Sequence, residues 1–139
     1  MKLFHIGDIL SITTKRLVSD RHIDAIYETL NFLTSDELFT HQIPRAWSEC
    51  EPWIRTQYPQ LMYDSPYIAK RVEEFNDPAN LGNEAFIATW VESIRKHFDL
   101  QDMLPLHAMG EGMHTRFDPI AEAQAMMGDR NVIVVETKP

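Results

Sequence analysis

Apolar residues recur at helical spacing most clearly over residues 84–98, and this pattern predicts an amphipathic helix. Its apolar positions are Phe86, Ile87, Trp90, Val91, Ile94 and Phe98. Asn83 precedes the stretch and is a favourable N-terminal cap, while the basic residues 95–97 suit the carboxyl end of a helix. We therefore expect this helix to organise the hydrophobic core and to bury Trp90.

Start and stop signals predict four further helices, over residues 23–33, 48–58, 65–75 and 118–127. The first has Ser19 or Asp20 as its expected cap. Ser48 and Glu51 have the spacing of a capping box, which predicts that the second helix begins at Ser48. That start places Pro52 in the first turn, where a missing backbone N–H removes no helical hydrogen bond.

Three segments have strand character. Residues 9–14 alternate loosely and are rich in β-branched side chains, and the preceding Gly7-Asp8 indicates a turn or a bulge. Residues 103–108 predict an edge strand, because Pro105 cannot donate to a ladder. Residues 132–135 form the most strand-like run, and they predict a central strand buried on both faces.

These elements predict a single α+β domain over residues 1–139, with a small three- to four-stranded sheet packed against four or five helices. The two terminal strands are expected to meet in one sheet, because each lacks another strong apolar partner. Residues 105–135 are expected to form a β-α-β crossover, which is right-handed if its strands are parallel.

The charge balance limits the classes of partner. Thirteen basic and 21 acidic residues give a net charge of −8, and residues 71–139 hold six basic and twelve acidic ones. Phosphate contacts need clustered Lys and Arg, so we expect no direct binding to nucleic acid. The nearest basic cluster is surrounded by acids: Lys15, Arg16 and Arg21 among Asp8, Asp20 and Asp24. The acidic surface either keeps the protein soluble or docks on a basic partner.

The composition also bears on location. No apolar run approaches the length of about 20 residues that a membrane span needs, and the first residues lack a signal-peptide pattern. The one cysteine, Cys50, excludes an internal disulfide. We therefore expect a cytoplasmic protein.

One set of residues suggests catalysis. His5, Asp8, His41 and Arg45 supply the groups that acid–base chemistry uses, since a histidine oriented by a carboxylate is a frequent general base. Cys50 with His41 is a weaker hypothesis for nucleophilic catalysis, because free cysteines are usually buried and inert. Whether these residues converge in space is not visible in the sequence.

A metal site is not expected. His107 and His114 lie in a methionine-rich segment that offers soft ligands, but their spacing matches no recognised zinc or copper motif. A closed set of cysteine or histidine ligands is missing from the sequence, so we predict no metal and no cofactor.

Aromatic residues are concentrated in the middle of the chain, and the stretch that holds them also contains three prolines. They are Trp47, Trp53, Tyr58, Tyr63 and Tyr67. One interpretation is that these rings pack short helices onto the domain. The other is an exposed contact surface, because Tyr and Trp are favoured anchors in protein interfaces.

Several segments resemble a family of small, uncharacterised proteins of tailed bacteriophages and prophages. They are residues 4–14, 17–19, 21–24, 38–46, 49–52, 118–120, 127–128 and 132–135. The family has no assigned activity, so the resemblance implies a setting and not a mechanism. Accessory phage proteins of this size often inhibit host machinery, including CRISPR–Cas and restriction systems.

The leading hypothesis is therefore a phage-encoded inhibitor of a host defence complex, with a CRISPR–Cas effector as the foremost target, that acts by stoichiometric binding. A basic, nucleic-acid-binding complex suits an acidic inhibitor. The residues predicted to steer association are Glu73, Glu74, Asp77, Asp99 and Asp102, and those predicted to anchor it are Trp47, Trp53 and Tyr67. The alternatives are a small enzyme or ligand-binding protein that uses His5, Asp8, His41 and Arg45, and a phage structural component.

Overall fold

The structure is a computed structural model that describes residues 1–110 and 112–127. Its strands are β1 (Lys2–His5) and β2 (Met103–Leu106). Its helices are α1 (Ile6–Thr14), α2 (Ile23–Thr34), α3 (Ile43–Gln57), α4 (Pro66–Val72), α5 (Glu84–His97) and α6 (Pro119–Met127). Single 3₁₀ turns lie at Thr40–Gln42, Pro59–Leu61, Glu73–Asn76 and Pro78–Asn80. The strand predicted over residues 132–135, and the crossover leading to it, lie outside the described residues.

The sheet is smaller than expected. In the described part of the chain it has two antiparallel strands, β1 and β2, in which Phe4 pairs with Leu104 and Leu3 with Pro105. The α+β class is therefore correct, but three or four strands is an overestimate for these residues. The sheet buries one face, which carries Phe4, Leu104 and Leu106.

Residues 9–14 form a helix and not the predicted strand. All nine residues of α1 are buried, so the helix has no solvent-exposed face and leaves no amphipathic helical period in the sequence. Two of its hydroxyl side chains bond within the helix: Ser11 Oγ donates to the Gly7 carbonyl at 2.9 Å and Thr14 Oγ1 to the Leu10 carbonyl at 2.6 Å. These bonds allow residues with strand propensity to lie buried in a helix.

Helix α3 begins five residues before the predicted start, at Ile43 instead of Ser48. The capping-box assignment is therefore wrong, and Pro52 lies inside the helix instead of in its first turn. Proline removes the hydrogen bond to the Ser48 carbonyl. Because Ser48 and Pro52 are both exposed, solvent can replace that bond.

Helix α5 confirms the strongest sequence prediction. Asn83 caps it by accepting a hydrogen bond from the Phe86 backbone N–H at 3.0 Å. Trp90 is 1% exposed, packs edge-to-face on Phe75 and donates from its indole N–H to the Arg71 carbonyl at 3.1 Å. Helix α1 packs against α2, α3 and α5, so the buried helix lies at the centre of the core.

Candidate functional site

The four predicted catalytic residues do not form one site. His5 caps α1, because its Nδ1 accepts a hydrogen bond from the Gly7 backbone N–H at 3.0 Å. Asp8 bonds to the loop between α1 and α2, whereas His41 and Arg45 bond to α6 and the segment before it. His5 and Asp8 thus stabilise α1 and the loop that follows it, whereas His41 and Arg45 stabilise the position of α6.

Helix α6 is held by a charged hydrogen-bond network. The Glu122 carboxylate, whose side chain is 7% exposed, accepts hydrogen bonds from Arg45 Nε at 2.5 Å and Arg45 Nη2 at 2.9 Å. Gln42 Nε2 donates a third bond to Glu122 at 2.9 Å. The hydrogen bond from Arg45 lowers the pKa of Glu122, because it stabilises the carboxylate. Arg45 is therefore a structural ion-pair partner.

His114 fixes the segment that leads into α6. Its ring, whose side chain is 5% exposed, lies 2.9 Å from Asp36 Oδ2 and 2.5 Å from Glu49 Oε1. Each of its two ring nitrogens thus faces one carboxylate. Burial opposes ionisation of Asp36, but hydrogen bonds from His114 and the Glu37 backbone N–H outweigh it, so the pKa of Asp36 is lowered.

The other predicted reactive groups are separate from this cluster. His107 is exposed, and its backbone bonds to Gln57 and Trp53. Among residues 1–110 and 112–127, no three His, Cys, Asp or Glu side chains are grouped as metal ligands. Cys50 is fully buried, and this burial raises the pKa of its thiol to about 12. Its thiol is therefore protonated at neutral pH and unsuited to nucleophilic attack.

A groove of about 480 Å³ lies between the loop at residues 15–22 and the start of α5. We call it the α1–α2 groove. Its apolar lining consists of Leu17, Val18, Phe75, Leu81, Ile87 and Ala88. Leu17 is 48% and Leu81 61% exposed, so large apolar side chains face solvent there. A concave apolar surface with a few polar groups is the usual form of a binding site.

Buried polar groups hold the loop in place. Ser11 Oγ accepts hydrogen bonds from the backbone N–H groups of Val18 and Ser19, each at 3.1 Å. Ser19 Oγ donates to Asp8 Oδ1 at 2.5 Å, and Arg21 Nη2 donates to Asp8 Oδ2 at 2.5 Å. The Asp8 carboxylate is buried, so both of its oxygens are satisfied inside the protein. We call these residues the Asp8 network.

The same loop contains strained backbone. His22 has φ 55° and ψ −131°, a conformation that favours glycine, in a turn closed by the Asp24 N–H and the Arg21 carbonyl at 3.2 Å. Lys15 also has a positive φ, of 59°. A non-glycine residue in such a region costs about 1–3 kcal/mol and persists only where its surroundings fix it. Both residues line the α1–α2 groove.

Charged side chains around the groove differ in their partners. Lys15 pairs with Glu51 at 3.6 Å. Arg16, Asp20 and Glu84 also line the groove, and none of the three has an ion-pair partner within the described residues. The rim thus presents one unpaired positive and two unpaired negative side chains.

The predicted steering residues are divided between two regions. Glu73 and Asp77 are exposed and lie on either side of Phe75, which lines the groove. Glu74 pairs with Arg71 at 2.5 Å. The remaining two, Asp99 and Asp102, are exposed beyond the end of α5, and Asp102 lies 3.2 Å from Arg95.

The predicted anchoring residues are half-buried, and their polar atoms bond within the chain. Trp47 Nε1 donates to the Ile12 carbonyl at 3.0 Å, and Trp53 Nε1 donates to the His107 carbonyl at 2.6 Å. Tyr67 stacks on His97 with ring centroids 3.5 Å apart. These contacts pack short helices onto the domain. The exposed apolar surface of the groove comes from other residues.

Comparison with known proteins bears on the first part of the chain. A family model described as Domain of unknown function (DUF7736) matches residues 4–64. No curated protein and no solved structure matches the chain. The matched residues include the Asp8 network and the loop, whereas the α5 wall of the groove lies beyond them. None of the helices in the described ranges has the length and apolar character needed to cross a membrane.

The groove was missed from sequence because its signals are indirect. The sequence shows that acidic residues surround Lys15, Arg16 and Arg21. It does not show that one of these acids, Asp8, is buried and bonded to the loop. The conformation of His22 leaves no signal either, because a φ of 55° with a ψ of −131° lies outside the left-handed helical region in which non-glycine residues occasionally occur.

His22→Gly is expected to raise the free energy of unfolding by about 1 kcal/mol, because glycine adopts this backbone conformation without strain. Urea denaturation of the two proteins measures the difference. Asp20→Gly, in the same loop but without a positive φ, is the matched control and should lower stability. A lower stability of both variants would contradict the assignment of strain to His22.

Acidification is expected to undock α6 before α5 unfolds. The pKa of Glu122 is lowered from 4.5, so its pairing stabilises the fold above pH 4.5 and is lost as the pH falls through the lower folded-state value. Hydrogen exchange followed by NMR should show loss of α6 protection at acidic pH, with α5 still protected. Glu122→Gln should remove this step, whereas the exposed Glu37→Gln should keep it. Simultaneous loss in both helices would contradict the prediction.

Proposed function

We propose that this protein is a phage- or prophage-encoded inhibitor of a host defence complex that acts by stoichiometric protein binding in the host cytoplasm. The foremost target is a CRISPR–Cas effector. The observation that carries the proposal is the α1–α2 groove, a fixed apolar surface with unpaired acidic side chains at its rim. The sequence resemblance supplies the phage setting.

The state of the candidate catalytic groups favours binding over turnover. His5, Asp8, His41 and Arg45 each make a hydrogen bond within the fold. A general base needs a free lone pair that can reach a substrate. Groups already used to hold the loop and α6 are poor candidates for that role.

The acidic side chains provide a physical route to a basic target. With a net charge of −8, the protein is attracted over long range to a positively charged, nucleic-acid-binding surface. Glu73 and Asp77 are exposed and lie two residues from Phe75, a lining residue of the groove, so charges that steer encounter are close in the chain to its apolar surface. Steering mainly raises the association rate, and apolar contact slows dissociation.

A ligand-binding protein is the second candidate. The groove volume of about 480 Å³ falls within the range of small-molecule sites. Under this alternative, a small apolar compound would occupy the groove without any host protein. A screen of small apolar fragments by NMR separates the two candidates, because the inhibitor proposal requires a macromolecular partner.

The direct test measures DNA binding by purified CRISPR–Cas effectors and restriction complexes while this protein is titrated in. Inhibition that reaches its maximum at an equimolar ratio supports the proposal. Absence of inhibition in every host system tested would overturn it. Inhibition that persists far below an equimolar ratio would indicate catalysis and would also overturn it.

Glu73→Lys is expected to slow association with the inhibited complex roughly threefold at low salt, because it reverses a charge that steers encounter. Added salt should shrink this effect by screening. Glu37→Lys is the matched control, since Glu37 is also exposed and the net charge changes equally. Glu73 is preferable to Glu74, whose reversal would also break the pair with Arg71. Equal effects of the two variants would contradict local steering.

A further inference from the structure

We infer that the α1–α2 groove receives an apolar side chain that lies next to a lysine or arginine in a segment of the partner protein. This inference deepens the proposed function and rests on it, because it names the chemistry of the partner segment. Its support is the apolar floor of the groove, the charge at its rim and the rigidity of the loop.

The floor of the groove selects an apolar contact. Leu17 in the loop and Leu81 just before α5 both line the groove and are both exposed. Phe75 and Ile87 also line the groove, Phe75 as part of the core and Ile87 packed against it. An apolar side chain placed here removes solvent from both leucines at once. A wholly polar segment would leave that apolar surface exposed to solvent.

The rim selects a cation beside the apolar side chain. Glu51 already neutralises Lys15, which leaves Arg16 as the unpaired positive group among the described residues that line the groove. Asp20 and Glu84 are acids on the same lining and have no ion-pair partner within the described residues. The balance is negative, so a basic segment gains favourable interactions that an acidic one does not.

The same charges argue against a second copy of this chain as the occupant. Two copies that each carry a net charge of −8 repel one another. A symmetric dimer formed through the two grooves would also bring their acidic rims together. A positively charged partner protein is therefore the better fit to the groove.

The loop is built to bind without rearrangement. The Asp8 network holds the backbone at Val18, Ser19 and Arg21, and it maintains the strained turn at His22. His22 lines the groove, and the backbone bonds on either side of it hold this part of the lining in place. A surface that is already ordered loses little conformational entropy on binding.

Synthetic peptides test this chemistry without a host protein. Three helix-forming peptides of equal length carry lysine with leucine, glutamate with leucine, or lysine with serine. We expect the lysine–leucine peptide to bind the full chain, as measured by fluorescence anisotropy, and each of the others to bind at least roughly tenfold more weakly. A glutamate–leucine peptide that binds as tightly as the lysine–leucine one would overturn the inference.

Two alanines of α5 provide matched variants. Ala88 lines the groove and Ala85 does not, although both are exposed. Ala88→Trp should fill the groove and lower the affinity for the lysine–leucine peptide at least roughly tenfold. Ala85→Trp should leave this affinity unchanged. Circular dichroism checks that both variants fold. If Ala88→Trp does not fold, Leu17→Ser replaces it, with Leu3→Ser as the exposed control away from the groove.

The remaining outcomes are also decisive. Equal binding by both tryptophan variants would overturn the inference, because the peptide would then bind elsewhere on the acidic surface. A wild-type dimer that Ala88→Trp dissociates would show that a second copy covers the groove, and would overturn it too. Peptide binding without inhibition of any host complex would refute the proposed function and leave the groove chemistry standing.

Discussion

The buried carboxylate of Asp8 connects three parts of the fold. It accepts hydrogen bonds from Ser19 and Arg21, and Arg21 also donates to Glu28 of α2 at 2.8 Å. A charge inside a protein is tolerated only when it is paired and hydrogen-bonded, so Asp8 requires the loop to stay where it lies. The α1–α2 groove depends on this constraint, because the loop forms one of its walls.

Different kinds of interaction stabilise the two ends of the described chain. Helix α1 is buried on all sides. Its Ser11 and Thr14 hydroxyls donate to its own backbone, whereas Asp8 bonds to the following loop. The segment at residues 114–122 is held by charged groups, with Arg45 on Glu122 and His114 between two carboxylates. At the groove, in contrast, apolar surface is exposed, and Asp20 and Glu84 have no ion-pair partner within the described residues. This contrast is why we propose the groove as the binding surface.

The hydrophobic pattern predicts a helix correctly when one face of it is buried and the other is exposed, as in α5. It does not predict a helix that is buried on every side, as α1 is. Helix α5 has a polar and an apolar side, so its spacing, its Asn83 cap and the burial of Trp90 were all visible. Helix α1 has no polar side, and its β-branched residues suggested a strand. The Ser48–Glu51 spacing arose by chance within α3, because the apolar stripe of that helix already begins at Ile43. The groove depends on tertiary contacts of Asp8 and on a positive φ at His22, which residue types alone do not reveal.

Amide hydrogen exchange in Asp8→Asn, compared with wild type and with the exposed control Asp24→Asn, tests the central claim most directly. The substitution keeps the size of the side chain but removes the charge that Arg21 and Ser19 bind. If Asp8 holds the loop, the amides of Val18, Ser19 and Arg21 should exchange faster while those of α5 stay protected. Unchanged exchange in the loop would contradict the claim that the groove is preorganised by this buried carboxylate.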